Sequence, residues 1–431
     1  MAALMRHSVT APVAAPSAAT GLAGAFQPPP SKSLTQRGLV AASLAGAGSC
    51  VLRPLDADDT RLLFAALVRA GHDLVWQEGS IAVRGVVPPA PGDVLMGNNG
   101  TGARFMLAQL AATEGNWRLD GVARLRERPV AGLVAALRRL GAEIAPETPG
   151  DDRLPLHIRG RGLVGGDAVL DSRESSQYLS ALLLLGARLE RGLAVRLPSP
   201  PLSRPYVALT SDVLAAFGAT VVEAEDGRAF SVLPRGLRPA SFTVEPDWSA
   251  AAFPLAGVAC VGGRVTGLGL DPASHQGDAR VAALLAAAGC TVERVADGVR
   301  VTGPASCSLE ADLRDAPDLF PALAVVVARH GGRLTGLAGL RTKESDRLAV
   351  MLDRLAALGF VVHGGEDSFA APGGLPTRPA PAVALDPAGD HRIAMALAVA
   401  GLVASGVRIA DPTCVAKSWP EFWASWRAIV S

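Results

Sequence analysis

The stretch LAAAGCTVERV, Leu285–Val295, and its counterpart LAALGFVVHG, Leu355–Gly364, decide how this chain is read. Each carries a helix-like apolar run to a glycine and passes at once into a strand-like run. The same figure stands at LVRAGHDLVW (Leu67–Trp76), LRRLGAEI (Leu137–Ile144) and LAAFGATVVEA (Leu214–Ala224). Gly71, Gly141, Gly218, Gly289 and Gly359 are thus spaced 70, 77, 71 and 70 residues apart. A glycine just past the last helical turn adopts the left-handed backbone that closes a helix, so each marks a stop.

A second helix type keeps step with the first. Segments beginning near Ser33, Thr101, Ser175, Ser249, Asp318 and His391 are apolar nearly all round, as in SSQYLSALLLLGA and DHRIAMALAVAGLV. Helices without a polar face are buried on every side. Short strand patterns follow most of them: RGLAVRLP, GGRVTGLGL and GGRLTGL. Chance similarity among Ala/Gly-rich segments does not give two helix types in register. The simplest reading is six copies of a strand–helix–strand–helix–strand unit, three to a domain. Pro/Gly-rich stretches at Val86–Asp93, Ala145–Pro155, Leu197–Pro205 and Pro372–Gly389 read as loops between elements.

Composition narrows the function. The 431 residues are 49% hydrophobic and 4% aromatic, which predicts closely packed helices with small side chains. A net charge of +1 gives no basic surplus for nucleic acid or a membrane surface. Cys50, Cys260, Cys290, Cys307 and Cys414 form no CxxC pair and no metal-ligand spacing with the histidines, as expected of reduced thiols and of a chain without a metal site. The segment from Met1 to about Phe26 lacks the leucine-rich run of a signal peptide, and Ile393–Val407, interrupted by Gly401 and Ser405, is too short to span a bilayer. A cytoplasmic location is expected.

Polar residues gather where the buried helices begin. Ser31-Lys32-Ser33 with Arg37 opens the first, Gly97-Asn98-Asn99-Gly100-Thr101 with Arg104 the second, Ser175-Ser176-Gln177 the third and Asp390-His391-Arg392 the sixth. Unpaired N–H groups and the dipole make helix N-termini anion sites. Any one of these serines, taken singly, reads as a plain N-cap. Arg124-Leu125-Arg126-Glu127-Arg128 and Lys343-Glu344-Ser345-Asp346-Arg347 read singly as solvated charged faces. Recurrence at corresponding places in the repeats favours anion binding. Asp318 and Glu344 then stand as two carboxyls among many cations, a candidate acid/base pair.

In order and spacing, these motifs resemble the enolpyruvylshikimate-phosphate synthase family. The resemblance runs from about Pro29 to Trp426 and includes Arg128-Pro129, Ser203-Arg204-Pro205-Tyr206, Pro317-Asp318 and Ala416-Lys417. It implies an α/β fold, a two-domain inside-out α/β barrel in which each domain is three βαβαββ-type units around buried helices. The implied lobes are 1–30 plus 247–431 and 31–246, with the active site in the cleft between them. The implied reaction transfers the enolpyruvyl group of phosphoenolpyruvate to the 5-hydroxyl of shikimate 3-phosphate and releases phosphate, with no cofactor and no metal. By resemblance, Lys32, Ser33, Arg37, Ser175, Ser176, Gln177, Ser203, Asp318 and Lys343 hold shikimate 3-phosphate. Lys32, Gly100, Arg128, Gln177, Arg347, Arg392 and Lys417 hold phosphoenolpyruvate. Asp318, Glu344 and Lys32 are the implied catalytic residues, with Asp318 taking the hydroxyl proton and Glu344 protonating the methylene carbon. The implied partners are the two small substrates, with neither nucleic acid nor membrane, and the chain is expected to be a monomer.

Pro30, Phe105, Gly339 and Gly389 depart from the residues usual in the family at their places. The nearest rival, an enolpyruvyl transferase for a UDP-amino sugar, relies on a cysteine in the loop after its second buried helix, and Thr101–Leu140 contains none. A paralogue with another hydroxy-acid acceptor and a non-catalytic anion or nucleic-acid binder are the remaining alternatives.

Overall fold

The computed structural model describes residues 13–15, 21–234, 236–377 and 384–430. Most of the Met1–Phe26 segment therefore lies outside the described residues, as do residues 378–383 of the Pro372–Gly389 loop.

Two compact units form. One comprises the described part of Met1–Pro29 with Pro246–Ser274 and Asp278–Ser431; the other comprises Pro30–Glu245 and His275–Gly277. Each has its own hydrophobic core. At the centre of the Pro30–Glu245 unit, the buried helices Lys32–Ala45, Gly100–Ala111 and Ser176–Gly186 pack on one another. In the other unit the helices are Trp248–Val261, Phe320–His330 and His391–Gly401, again in mutual contact. Their starts fall within two residues of those read from sequence. They lack a polar face, so nearly every residue of each is buried, as the periodicity requires.

The helix boundaries follow local chemistry. Ser31, Asn99, Ser175, Asp247 and Asp390 are N-caps whose side-chain oxygens accept from the N–H of Leu34, Gly102, Gln177, Ala250 and Arg392. Each such cap is worth about 1 kcal/mol. The fifth buried helix differs: Asp318 lies in the 3-10 turn Pro317–Leu319 and its side chain does not cap. At the other end of the surface helices, Gly71, Gly141, Gly218, Gly289 and Gly359 all have φ between 85° and 97°, the closing conformation that only glycine adopts without strain.

Five four-stranded sheets share one topology. In the second repeat Gly92–Leu95 runs parallel to Gly115–Asp120, which is antiparallel to Leu156–Gly160, which is antiparallel to Glu143–Pro146. The full repeat is therefore βαβαββ. The simpler strand–helix–strand–helix–strand reading misses the last strand of the hairpin, which follows a Pro/Gly/Asp-rich connection and carries no helix to mark it. No sheet closes into a barrel among the described residues.

Two repeats borrow their first strand from a distant part of the chain. Ser241–Thr243 pairs parallel with Cys50–Leu52 and completes the first sheet. Leu22–Phe26 pairs parallel with Gly263–Leu268 and completes the fourth. In the sixth repeat Leu385 bridges parallel to Ile409, and Val13–Ala14 pairs antiparallel with Arg408–Ile409, the place a hairpin strand holds elsewhere. No described helix is long and apolar enough to cross a membrane.

Candidate active site

In the Pro30–Glu245 unit the starts of the three buried helices are tied together by polar side chains. Lys32, 9% exposed, forms an ion pair of 3.1 Å with the buried Asp59. The main-chain carbonyl of Asp59 accepts from Asn99 Nδ2 at 2.7 Å, joining the first helix to the cap of the second. Thr101 in turn accepts from Gln177 Nε2 at 3.0 Å, joining the second helix to the third. Gln177 Oε1 is buried with no hydrogen-bond partner.

Gly100 has a specific reason to be glycine. A Cβ there would stand 2.5 Å from Arg128 Cζ and 2.5 Å and 2.6 Å from its two terminal nitrogens. The guanidinium lies flat on the bare backbone of the helix start, and Arg128 Nη1 reaches the Asn98 carbonyl at 3.5 Å. Arg104 fixes this arrangement by donating to the carbonyls of Gly100 (2.9 Å) and Pro129 (2.7 Å). Within the same run Arg124 pairs with Glu127 and Arg126 with the buried Asp120. Arg124 and Arg126 thus match the solvated-face reading of that run, and Arg128, 4% exposed, does not.

Arg37 is deeper than a surface ligand would be, at 1% exposed. Its Nε donates to Thr210 Oγ1 (2.8 Å), Nη1 to the Ser33 carbonyl (3.0 Å), and Nη2 to Ser180 Oγ (3.3 Å) and the Tyr206 carbonyl (3.2 Å). Four of its five N–H groups are thereby used. Its charge sits over the rings of Phe105 and Tyr206, so the unusual Phe105 forms part of its seat. Burial lowers the Arg37 pKa to about 10. Ser175 is the cap of the third helix, Ser176 is buried in its first turn, and Ser33 is half-buried in the first turn of the first helix. Ser203 precedes the helix Arg204–Ala216 with φ 51°, ψ 50°, a left-handed backbone that costs a non-glycine residue about 1 kcal/mol.

In the other unit one arginine collects three carboxylates. Arg347, 1% exposed, donates from Nη1 to Asp318 (2.6 Å), from Nη2 to Glu344 (2.8 Å) and from Nε to Asp390 (2.8 Å). Asp390 also accepts from Ser345 Oγ at 3.1 Å, so the helix Arg347–Ala357 is clamped to the start of the sixth buried helix. Arg392 Nη2 donates to the other oxygen of Asp318 at 3.1 Å, and Lys343 Nζ stands 3.9 Å from Asp318. The cations outweigh the desolvation. Burial alone would raise the Asp318 pKa, but Arg392, Lys343 and Arg347 hold it well below the usual carboxylate range. Burial would likewise lower the Arg347 pKa, and its three carboxylates hold it above its ordinary value. Lys417 is 8% exposed at the end of the turn Pro412–Lys417.

Most of the candidate residues thus form two groups, one per unit, each at the N-terminal ends of a buried helix triplet, whereas Ser203 precedes the helix Arg204–Ala216 and Lys417 ends a 3-10 turn. Sequence reasoning passed over Asp59, because an acidic residue in the first turn of Asp58–Arg69 reads as ordinary helix chemistry. It also treated Asp390 only as the start of a motif, whereas its buried carboxylate anchors Arg347. Among the described residues no cluster of His, Cys, Asp and Glu suits a metal ion.

The EPSP synthase (3-phosphoshikimate 1-carboxyvinyltransferase) family model matches residues 16–426. The chain belongs to this family. Relatives called 3-phosphoshikimate 1-carboxyvinyltransferase include one from Syntrophobacter fumaroxidans, 40% identical over 424 residues, covering 96% of this chain and 98% of the relative. One from Methanoculleus marisnigri is 40% identical over 431 residues, covering 97% and 98%. Among solved structures, an EPSP synthase from Acinetobacter baumannii superposes with a TM-score of 0.75 at 29% identity, covering 97% of this chain and 98% of that one. Membership confirms the α/β reading drawn from the repeats.

Proposed function

We propose that the chain is a 3-phosphoshikimate 1-carboxyvinyltransferase, joining phosphoenolpyruvate to the 5-hydroxyl of shikimate 3-phosphate with release of phosphate. The observation that carries the reading is the pairing of family membership with two cation-rich groups at helix N-termini, one of them holding Asp318 and Glu344 beside Arg347. Both substrates carry a phosphate and a carboxylate, which charge-assisted hydrogen bonds from Lys and Arg recognise.

Both groups serve one reaction. Lys32, Ser33, Arg37, Ser175, Ser176, Gln177, Ser203, Asp318 and Lys343 bind shikimate 3-phosphate. Of these, Arg37 acts through its single uncommitted N–H and by seating Ser33. Lys32, Gly100, Arg128, Gln177, Arg347, Arg392 and Lys417 bind phosphoenolpyruvate, with Gly100 acting by admitting Arg128. In the addition step the 5-oxygen bonds to C2 of phosphoenolpyruvate, Asp318 takes the hydroxyl proton, and Glu344, having taken up a proton from solvent before the site fills, gives it to the methylene carbon. In the elimination step the bond from C2 to the phosphate oxygen breaks, Glu344 recovers its proton from the new methyl group, Asp318 passes the hydroxyl proton to the departing phosphate, and Lys32 steadies that phosphate. Without substrate Asp318 is a weak base because three cations surround it. Anionic substrates that engage Arg392 and Lys343 relieve that field and restore its basicity.

The test is release of inorganic phosphate by purified protein. Release is expected only with both substrates present, and Asp318→Asn and Glu344→Gln are each expected to lower kcat at least about 100-fold with unchanged circular dichroism. No release from the pair, or release when UDP-N-acetylglucosamine replaces shikimate 3-phosphate, overturns the assignment.

A further inference from the structure

Asp278 belongs to none of the motifs used above. It lies in the 3-10 turn Gly277–Arg280, is 4% exposed, and accepts through Oδ2 from Ser249 Oγ. Its Oδ1 is buried with no hydrogen-bond partner. Ser249 stands in the first turn of the fourth buried helix, just after the cap Asp247. The charged groups facing Asp278 come from all three buried helices of its unit: Asp247 from the fourth, Asp318 from the turn opening the fifth, and Arg392 from the first turn of the sixth. On its own element Arg280 is exposed and donates to the Asp312 carbonyl.

This setting disfavours a carboxylate. Two acidic neighbours outnumber one arginine, and that arginine already donates to Asp318. A buried oxygen without a partner is tolerable on a neutral acid and costly on an anion. Burial, reinforced by Asp318 and opposed by Arg392 and Ser249, pushes the Asp278 carboxyl up to about 7.

We propose that Asp278 is a positioning residue that controls phosphoenolpyruvate binding through Arg392: the neutral acid leaves Arg392 to Asp318 and the substrate, and the carboxylate, having lost its proton to solvent, draws Arg392 to itself. The inference rests on the reading of Arg392 as a phosphoenolpyruvate ligand. Ser249 tunes the switch, because its hydroxyl donates to the ionised form.

The experiment is the pH dependence of KM for phosphoenolpyruvate, from pH 5.5 to 9, in the wild type, Asp278→Asn, Ser249→Ala and Arg392→Gln. Ionisations of the substrate are common to all four proteins. In the wild type KM rises as pH passes through about 7, with kcat changing less. Asp278→Asn, which cannot ionise, behaves at every pH as the wild type does on its acid plateau, so its rise is lost. Ser249→Ala moves the rise to higher pH by about one unit. Arg392→Gln raises KM already at acid pH. A wild type without the rise, an Asp278→Asn profile that keeps it, or an Asp278→Asn protein with lower kcat and an unchanged KM profile overturns the proposal. If Asp278→Asn does not fold, an unshifted rise in Ser249→Ala does the same. An Arg392→Gln protein with normal KM instead overturns the ligand reading beneath it.

Discussion

Replacing Gly100 with alanine tests how a missing side chain shapes the site. The new Cβ would meet Arg128 Cζ and Nη1 at 2.5 Å. Ordinary contact is about 3.6 Å, so the guanidinium must retreat by about 1 Å. Backbone strain adds nothing, because Gly100 does not have a positive φ. The helix itself gains slightly, since alanine is the better helix former by up to about 1 kcal/mol. Arg104 keeps the flanking carbonyls of Gly100 and Pro129 in place, so only the end of the Arg128 side chain moves. A charge-assisted hydrogen bond displaced by about 1 Å loses on the order of 1.5 kcal/mol, about tenfold in affinity. Steady-state phosphate release should show KM for phosphoenolpyruvate raised about tenfold, KM for shikimate 3-phosphate within about twofold, and Tm unchanged or slightly higher. In an Arg128→Ala background the same glycine substitution should change KM less than about twofold, because the clash has gone. An unaltered KM in the single variant, or an undiminished effect in the double variant, would refute the reasoning.

Other substitutions probe the remaining geometry. Arg347→Met leaves Asp318, Glu344 and Asp390 without their shared cation and should cost about 3–5 kcal/mol in urea unfolding; a loss below about 1 kcal/mol would show that the cluster does not hold the helix Arg347–Ala357. Asp318 has a depressed folded pKa, so its stabilising contribution is present above its unfolded value of about 4 and is lost as pH falls below it. The wild type should therefore lose stability below pH 4 more steeply than Asp318→Asn, and parallel acid-unfolding curves would contradict this. Ser203→Gly should relieve the left-handed backbone and raise stability by about 1 kcal/mol while raising KM for shikimate 3-phosphate. Lower stability with unchanged KM would reverse both expectations.

Periodicity made the helices legible because burial on all sides and glycine closure are local properties. The cap reading was equally local: it accounts for Ser31 and Ser175, whose oxygens take N–H groups of their own first turns. Asp318 follows no such local rule, since that side chain turns to arginines 29 and 74 residues away in sequence. The Arg124–Arg128 run shows the same limit. Three arginines divide into solvent-facing pairs at Arg124 and Arg126 and a buried cation at Arg128, and nothing within the run says which is which.

From the sequence alone came six repeats, the positions of their buried helices, and the polar residues at those helix starts, because spacing along a chain survives in the letters. Tertiary structure alone decided what each charge meets. Asp59 was needed to hold Lys32, the bare backbone of Gly100 to receive Arg128, and three carboxylates from separate segments to surround Arg347. It also decided that strands at Leu22–Phe26 and Ser241–Thr243 complete sheets far from them in sequence. The reason is physical: a pairing between distant segments depends on which groups packing brings into the same dry pocket, and burial rather than residue type sets its strength and sign.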